Sequence, residues 1–227
     1  SGFVVARFGG EHGHPMTDNP TALYYNPGAI SLGSGTRLFI DGTLAYRMVS
    51  YTRPVEAISK NGTGTPAGLE IANSGTAELN NFAGSPFIGV ASDLGVPKLG
   101  VALGLYAPFG GGASWGTNNN LTEEQKALYP GAAEGQQRWW SIDSTLKVIY
   151  YSLGASYRFH EKVSFGLSVN YVSSSIDTIR AKNPDGSDDL ILANGALKEG
   201  RSYLTAKGGS LSIGAGLVVM PTDSIRI

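Results

Sequence analysis

In stretch after stretch of this chain, large apolar residues alternate with residues that are small or polar and seldom charged. In KLGVALGLYAP (98–108), Leu99, Val101, Leu103, Leu105 and Ala107 share one face, and Gly100, Ala102, Gly104 and Tyr106 share the other. In VSFGLSVNYV, Val163, Phe165, Leu167, Val169 and Tyr171 face Ser164, Gly166, Ser168 and Asn170. GGSLSIGAGLVVM (208–220) sets Leu211, Ile213, Ala215, Leu217 and Val219 against Ser210, Ser212, Gly214 and Gly216. A repeat of two places alternate side chains on opposite faces of a β-strand. A soluble sandwich buries its apolar face and turns a charged face to water. Here only 15% of residues are charged, and glycine supplies 32 of 227 residues, about twice the usual share. An apolar outer face with an uncharged, small inner face suits a transmembrane β-barrel, whose strands need only about 9–11 residues each. The fold class expected is therefore all-β, an antiparallel barrel.

The order of segments supports this expectation. Residues 1–35 hold seven glycines and three prolines and have no sustained period, which predicts a compact, irregular segment with one helical turn near Thr21–Tyr25. From Thr36, TRLFIDGTLAYRMVSY carries Leu38, Ile40, Leu44, Tyr46 and Met48 on one face and Arg37, Asp41, Thr43 and Arg47 on the other. Further strands are expected at 86–94, 98–108, 138–159, 163–179 and 208–220, with SIRI opening a seventh. Long connections near 52–85, 109–136 and 181–206 alternate with short turns, the outer-membrane layout. Pro108 is expected to end regular pairing of its strand. Tyr46, Tyr51, Trp139, Trp140, Tyr157 and Tyr171 are expected near strand ends as an interfacial girdle. Six strands and a stub leave open edges that lipid cannot satisfy, so the chain is expected to be part of a longer one or to assemble with further strands.

Several function classes are excluded or weakened. A formal net charge of −1 gives no electrostatic basis for nucleic-acid binding. The absence of cysteine rules out disulfides, thiolate metal sites and a cysteine nucleophile. His12 and His14, with Glu11 and Asp18 nearby, lack the ligand count of a metal site and read as turn residues. No serine sits in a nucleophile-elbow motif, and Gly110–Gly112 is followed by no Lys-Ser/Thr pair, so it is read as a flexible loop start rather than a phosphate loop. Neither an enzyme nor a cofactor is expected.

The start at Gly2-Phe3, the run DNPTALYYNPGAI and the strand–turn–strand SYRFHEKVSFGLSVNYV (156–172) resemble the FadL-type outer-membrane transporters of long-chain fatty acids and other hydrophobic compounds. Asn26-Pro27-Gly28 stands where that family carries Asn-Pro-Ala. The resemblance covers the first half of a family member. It implies a 14-stranded monomeric barrel in a Gram-negative outer membrane, lying among lipid and lipopolysaccharide, with residues 1–35 as an N-terminal hatch. The implied function is passive uptake of a long-chain fatty acid or another hydrophobic small molecule.

The same resemblance assigns roles. Asn26, Pro27 and Gly28 would form a hatch loop beside a kink in the third strand that opens the wall sideways. Gly100 and Gly104 would belong to that lateral gate, or simply make room for the hatch. Phe3 and Val4 would reach the bound ligand. Leu121, Leu128 and Tyr129 would lie on one side of a short helix capped by Thr122 and form an extracellular capture groove, or pack that loop against itself. Arg37 and Arg47 face the expected lumen and could pair with a fatty carboxylate, or with Asp41 or Asp18. The alternatives are a structural or adhesion barrel that displays its long loops to a protein partner, and a polar-solute porin.

Overall fold

A computed structural model describes residues 14–58, 64–222 and 225. Six long strands form one antiparallel sheet in sequence order: β1 (Thr36–Arg53), β2 (Gly75–Ser92), β3 (Leu99–Ser114), β4 (Asp143–His160), β5 (Val163–Lys182) and β6 (Gly200–Val219). β1 and β6 each pair on one side only, so the sheet does not close on itself among the described residues. The top of β1 and the top of β5 nevertheless line one hollow, so the sheet curls.

Leu38, Ile40, Leu44, Met48, Leu103, Leu153, Leu211 and Ile213 all point outward, each more than half exposed. The opposite face is covered at its lower end, near the short turns, by residues 17–32: the helical turn α1 (Ala22–Tyr25) and a 3-10 turn (Pro27–Leu32). Ala22, Leu23, Ala29 and Ile30 make a small buried core there with Ala91, Ala102 and Val218. Among the described residues no helix is long and apolar enough to cross a membrane, which says nothing of strands.

All the strands but β4 are longer than the alternation predicts, and the first and third long connections correspondingly shorter. β2 begins at Gly75 rather than near 86, because its upper half, GTAELNNFAGS, does not alternate in polarity and is held as a strand by the ladder to β1. β3 runs on through Pro108 and Gly110–Gly112 to Ser114, paired with β4 across a register shift between Tyr106 and Phe109. The glycine triplet is thus strand, not a loop start. β4 begins at Asp143 rather than 138, because Gln136–Trp139 forms a 3-10 turn. β6 begins at Gly200 rather than 208. For the seventh strand, Thr222 and Ile225 form an isolated bridge; residues 223, 224, 226 and 227 lie outside the described residues. Of the expected girdle, Tyr51 and Trp140 meet at the top of the sheet, with the indole N–H donating to the Tyr51 hydroxyl at 2.8 Å, and Tyr157 lies near the lower end of β4. Tyr46 and Tyr171 are mid-strand, and Trp139 turns in to donate to Asn73.

One seam departs from the rest. The β1–β2 and β5–β6 ladders run the full length of their strands, whereas β2 and β3 pair only from Phe87↔Tyr106 to Ser92↔Val101. Above that point the two strands fork. Extending the register one step would set Pro86 opposite Ala107, and the next step Ser85 opposite Pro108. Neither proline has an N–H to give to a ladder. Pro108 therefore ends pairing on one side of its strand only, while the ladder to β4 continues.

Candidate functional site

The covered face is built around backbone contacts. Asn26 Oδ1 accepts from Gly28 N at 3.0 Å, which folds Asn26-Pro27-Gly28 into a tight corner. Asn26 Nδ2 then donates to Leu217 O of β6 at 3.0 Å, and Ser164 Oγ of β5 donates to Gly28 O at 2.7 Å. The corner lies so close to the wall that a Cβ on Gly28 would stand 2.8 Å from Gly216 O. An alanine at position 28 would therefore require the corner to move away from β6. Gly100 has the same relation to the segment: a Cβ there would lie 2.6 Å from Ser31 N. At Gly104 a Cβ would meet Leu23 Cδ1 at 2.8 Å. The structure thus brings Asn26, Pro27, Gly28, Gly100 and Gly104 into one contact zone between the N-terminal segment and the sheet. Both glycines seat the segment below the fork: Gly104 pairs with Gly89 inside the β2–β3 ladder, and Gly100 lies one residue past its last pair, Ser92↔Val101.

An aromatic layer sits at the fork. On the covered face Phe87 of β2, Tyr106 of β3 and Tyr150 of β4 stack in near-parallel order, with centroids 5.1 and 5.4 Å apart. Phe39 of β1 meets Phe87 edge-on at 5.9 Å, and Tyr24 of the N-terminal segment meets Tyr106 edge-on at 5.8 Å. Each such pair adds about 0.5–1.5 kcal/mol beyond its area burial. Ser152 Oγ donates to the Tyr106 hydroxyl at 2.9 Å, so the ring's polar end is satisfied within the wall. On the outer side of the same seam, Ile88, Leu103 and Leu105 line an apolar hollow of about 610 Å³.

Above the fork, the two strands are stitched by side chains. Ser85 Oγ donates to Ala107 O at 2.7 Å, in place of the N–H that Pro86 lacks. Higher up, Asn81 Nδ2 donates to Gly112 O at 2.6 Å, and the Arg47 guanidinium donates through Nη2 to the same carbonyl. Arg47 Nε donates to Asn81 Oδ1 at 3.1 Å. Arg37 lies elsewhere, low on the covered face: Nη2 donates to Ile30 O at 3.1 Å, and Nη1 is 3.6 Å from Asp18 Oδ2. Of the two arginines, then, Arg37 has the carboxylate partner and Arg47 has neutral acceptors.

The three long connections form one cap. Leu69, Ala72, Leu121, Ala132 and Leu190 make its apolar core, with Tyr129 and Ile191 packed against it. At its centre Arg138 is wholly buried. It donates to both carboxylate oxygens of Glu199 through Nε at 3.1 and 3.0 Å, and to Gly135 O and Asn73 Oδ1 at 2.9 and 2.7 Å. Burial pulls its pKa below the ordinary guanidinium value, and Glu199 opposes that shift. Arg201 joins Glu199 to Glu134, and Arg53 pairs with Asp188. Lys198 bridges Asp185 and Asp189 at 2.6 and 2.7 Å; its hydrogen bond holds the Asp185 carboxyl down to about 2. Thr122 caps α2 (Glu123–Leu128) in a capping box with Gln125, as its position predicts.

Leu121 and Tyr129 share the cap core, the alternative in which they pack the loop against itself, and Leu128 stands apart. Leu121 is in the cap core, Leu128 is 65% exposed, and Tyr129 lines a hollow of about 340 Å³ with Leu190 and Leu197. Phe3 and Val4 lie outside the described residues, as do Glu11 and His12; His14 Nδ1 accepts from Met16 N at 3.2 Å. Arg138, Glu199, Asn81 and Ser85 went unread in the sequence. Pro86 and Pro108, on neighbouring strands, were the available signal for the fork.

No protein-family model and no curated protein matches the chain. Several solved structures are similar to it, among them the following two. A FadL homologue from Pseudomonas aeruginosa matches with a TM-score of 0.53 at 17% identity, over 90% of this chain and 45% of that one. The deltaS2S3 mutant of TodX, a monoaromatic hydrocarbon channel, matches with a TM-score of 0.50 at 17% identity, over 89% of this chain and 47% of that one. The chain spans about half the length of the solved structures it matches, and its fold is the fold of that half.

Proposed function

We propose that this chain is part of an outer-membrane β-barrel through which a hydrophobic small molecule passes without chemical energy, entering at the loops and leaving sideways through the β2–β3 fork. The carrying observation is the fork itself: a seam opened by two prolines, with aromatic rings on its inner side and apolar side chains on its outer side. In this reading residues 1–35 are a hatch, the outward apolar face meets lipid, and the loop cap faces the lipopolysaccharide. The hatch seats against β3–β6 by backbone contacts, which favours a route beside it over one straight through. The long-chain fatty acid is the proposed ligand; each buried methylene contributes about 0.8 kcal/mol. The full-length protein works as a monomer, with capture near Tyr129, Leu190 and Leu197. Phe3 and Val4 are proposed to reach the ligand from the hatch, whose rearrangement frees it.

Uptake of radiolabelled oleate and of toluene by cells carrying the full-length protein tests this. Uptake of either above that of cells lacking the protein supports hydrophobic passage, and oleate preference supports the fatty acid. Uptake of neither, with free passage of small sugars, would replace the reading by a polar porin.

A further inference from the structure

We infer that Arg47 and Asn81 form a latch across the unpaired stretch of the β2–β3 seam, and that an anionic head group on the passing molecule opens it. This rests on the lateral route proposed above. Above Phe87↔Tyr106 no main-chain ladder joins the two strands. Gly112 O of β3 instead takes both the Asn81 amide and the Arg47 guanidinium, and Arg47 Nε is held on Asn81 Oδ1. One carbonyl thus carries two donors from the opposing strands.

The backbone beside the guanidinium turns at a glycine, and a side chain added there would touch the guanidinium without displacing it. Gly111 has φ +148°, a region that L side chains rarely adopt, and a Cβ there would stand 3.4 Å from Arg47 Nη1. Arg47, like Arg158 and Arg180, has no carboxylate partner among the described residues; what sets it apart is that it is held on a carbonyl and an amide across the seam. Arg37, Arg53, Arg138 and Arg201 each have a carboxylate within reach. The bond from the ionised Arg47 to a neutral carbonyl is already charge-assisted, but a carboxylate adds the attraction of an opposite charge and takes a guanidinium in two parallel bonds, which a single carbonyl cannot do. A carboxylate arriving in a lumen of low dielectric therefore outcompetes the Gly112 carbonyl for Arg47. Asn81 then loses its support from Arg47, and the seam widens from the top down, with Ser85–Ala107 as the lower stop.

The native chain has no cysteine, so two can be placed cleanly. Nitroxide labels at Asn80→Cys and Ser114→Cys, outward on β2 and β3, report the seam width in the full-length protein in detergent by pulsed electron resonance. Palmitate is expected to lengthen the distance by on the order of one strand spacing, about 5 Å, and hexadecanol to leave it unchanged. Arg47→Gln keeps an amide donor without the charge, so it should retain the resting distance and lose the palmitate response. Asn81→Ala should lengthen the resting distance without ligand. Equal responses to palmitate and hexadecanol, or an Arg47→Gln protein that responds like its parent, would overturn the latch. Bound ligand in the same samples, read by mass spectrometry, separates the two levels. If both compounds bind and the distance stays fixed, the latch is wrong and hydrophobic passage stands; if neither binds, both readings fall.

Discussion

At the scale of single residues, glycine and arginine do opposite work in this chain. A glycine on the covered face removes the one carbon that would hold the N-terminal segment away, as at Gly100, whose missing Cβ would meet Ser31 N at 2.6 Å. Gly100→Ala should therefore lift the segment at a cost of about 1–3 kcal/mol, the usual range for overpacking. It should lower the thermal midpoint in detergent and speed proteolysis within residues 17–32. Gly42→Ala, at a strand position with open space around its Cβ direction, serves as the control and should leave both unchanged. Arg138 fixes the cap through a fully desolvated charge. Glu199→Gln removes its counter-charge and should cost about 3–5 kcal/mol, the range found when one partner of a buried pair is lost. Denaturant titration of the cap, followed by Trp139 fluorescence, measures it.

At the scale of elements, the seam and the loops are governed by which backbone groups find partners. Pro86 and Pro108 stop the β2–β3 ladder, and Ser85 covers one freed carbonyl. Pro108→Ala restores a donor, so the ladder should lengthen upward from Phe87↔Tyr106. Amide exchange in the 106–110 stretch should slow, and hydrophobic uptake should fall several-fold. The 183–199 connection is held in part by Asp185 on Lys198, with the carboxyl at about 2 against an ordinary 3.8. A folded pKa below the unfolded one means that the contribution is complete above about pH 4 and is lost as pH falls toward 2. Protease cutting in residues 183–199 should therefore rise between pH 4 and 2 and stay flat between pH 5 and 8.

At the scale of the whole molecule, the sheet has one apolar face without a protein partner and one face lined by small residues, aromatics and the N-terminal segment. The membrane reading requires the first face to meet hydrocarbon. Leu44→Lys, on that face, should reduce folding into lipid vesicles by about 2–4 kcal/mol if it lies near mid-bilayer. Thr43→Lys, one residue along and pointing inward, should cost far less. Equal costs for the two would mean that neither face meets lipid. The three long connections pack on one another through Arg138, Glu199 and Asn73 rather than standing free. That arrangement favours a built entrance over a display surface for another protein.

The period-two alternation by itself determined the class of fold, the strand order and which residues face outward, because a strand has only two sides and this chain keeps them chemically distinct. Local residue types, not the alternation, located the helical turn near Tyr25 and the cap at Thr122, which depend on neighbours a few residues away. The alternation understated the tops of β2, β3 and β6, where polarity stops alternating and the adjacent strand holds the backbone extended. Pro86 and Pro108 already mark the fork in the sequence, but the bonds of Asn81 and Arg47 to Gly112 and the Arg138–Glu199 pair were decided by tertiary structure alone. Each joins residues from 31 to 65 positions apart in the chain, and no local period records which distant carbonyl or carboxylate a buried donor will find.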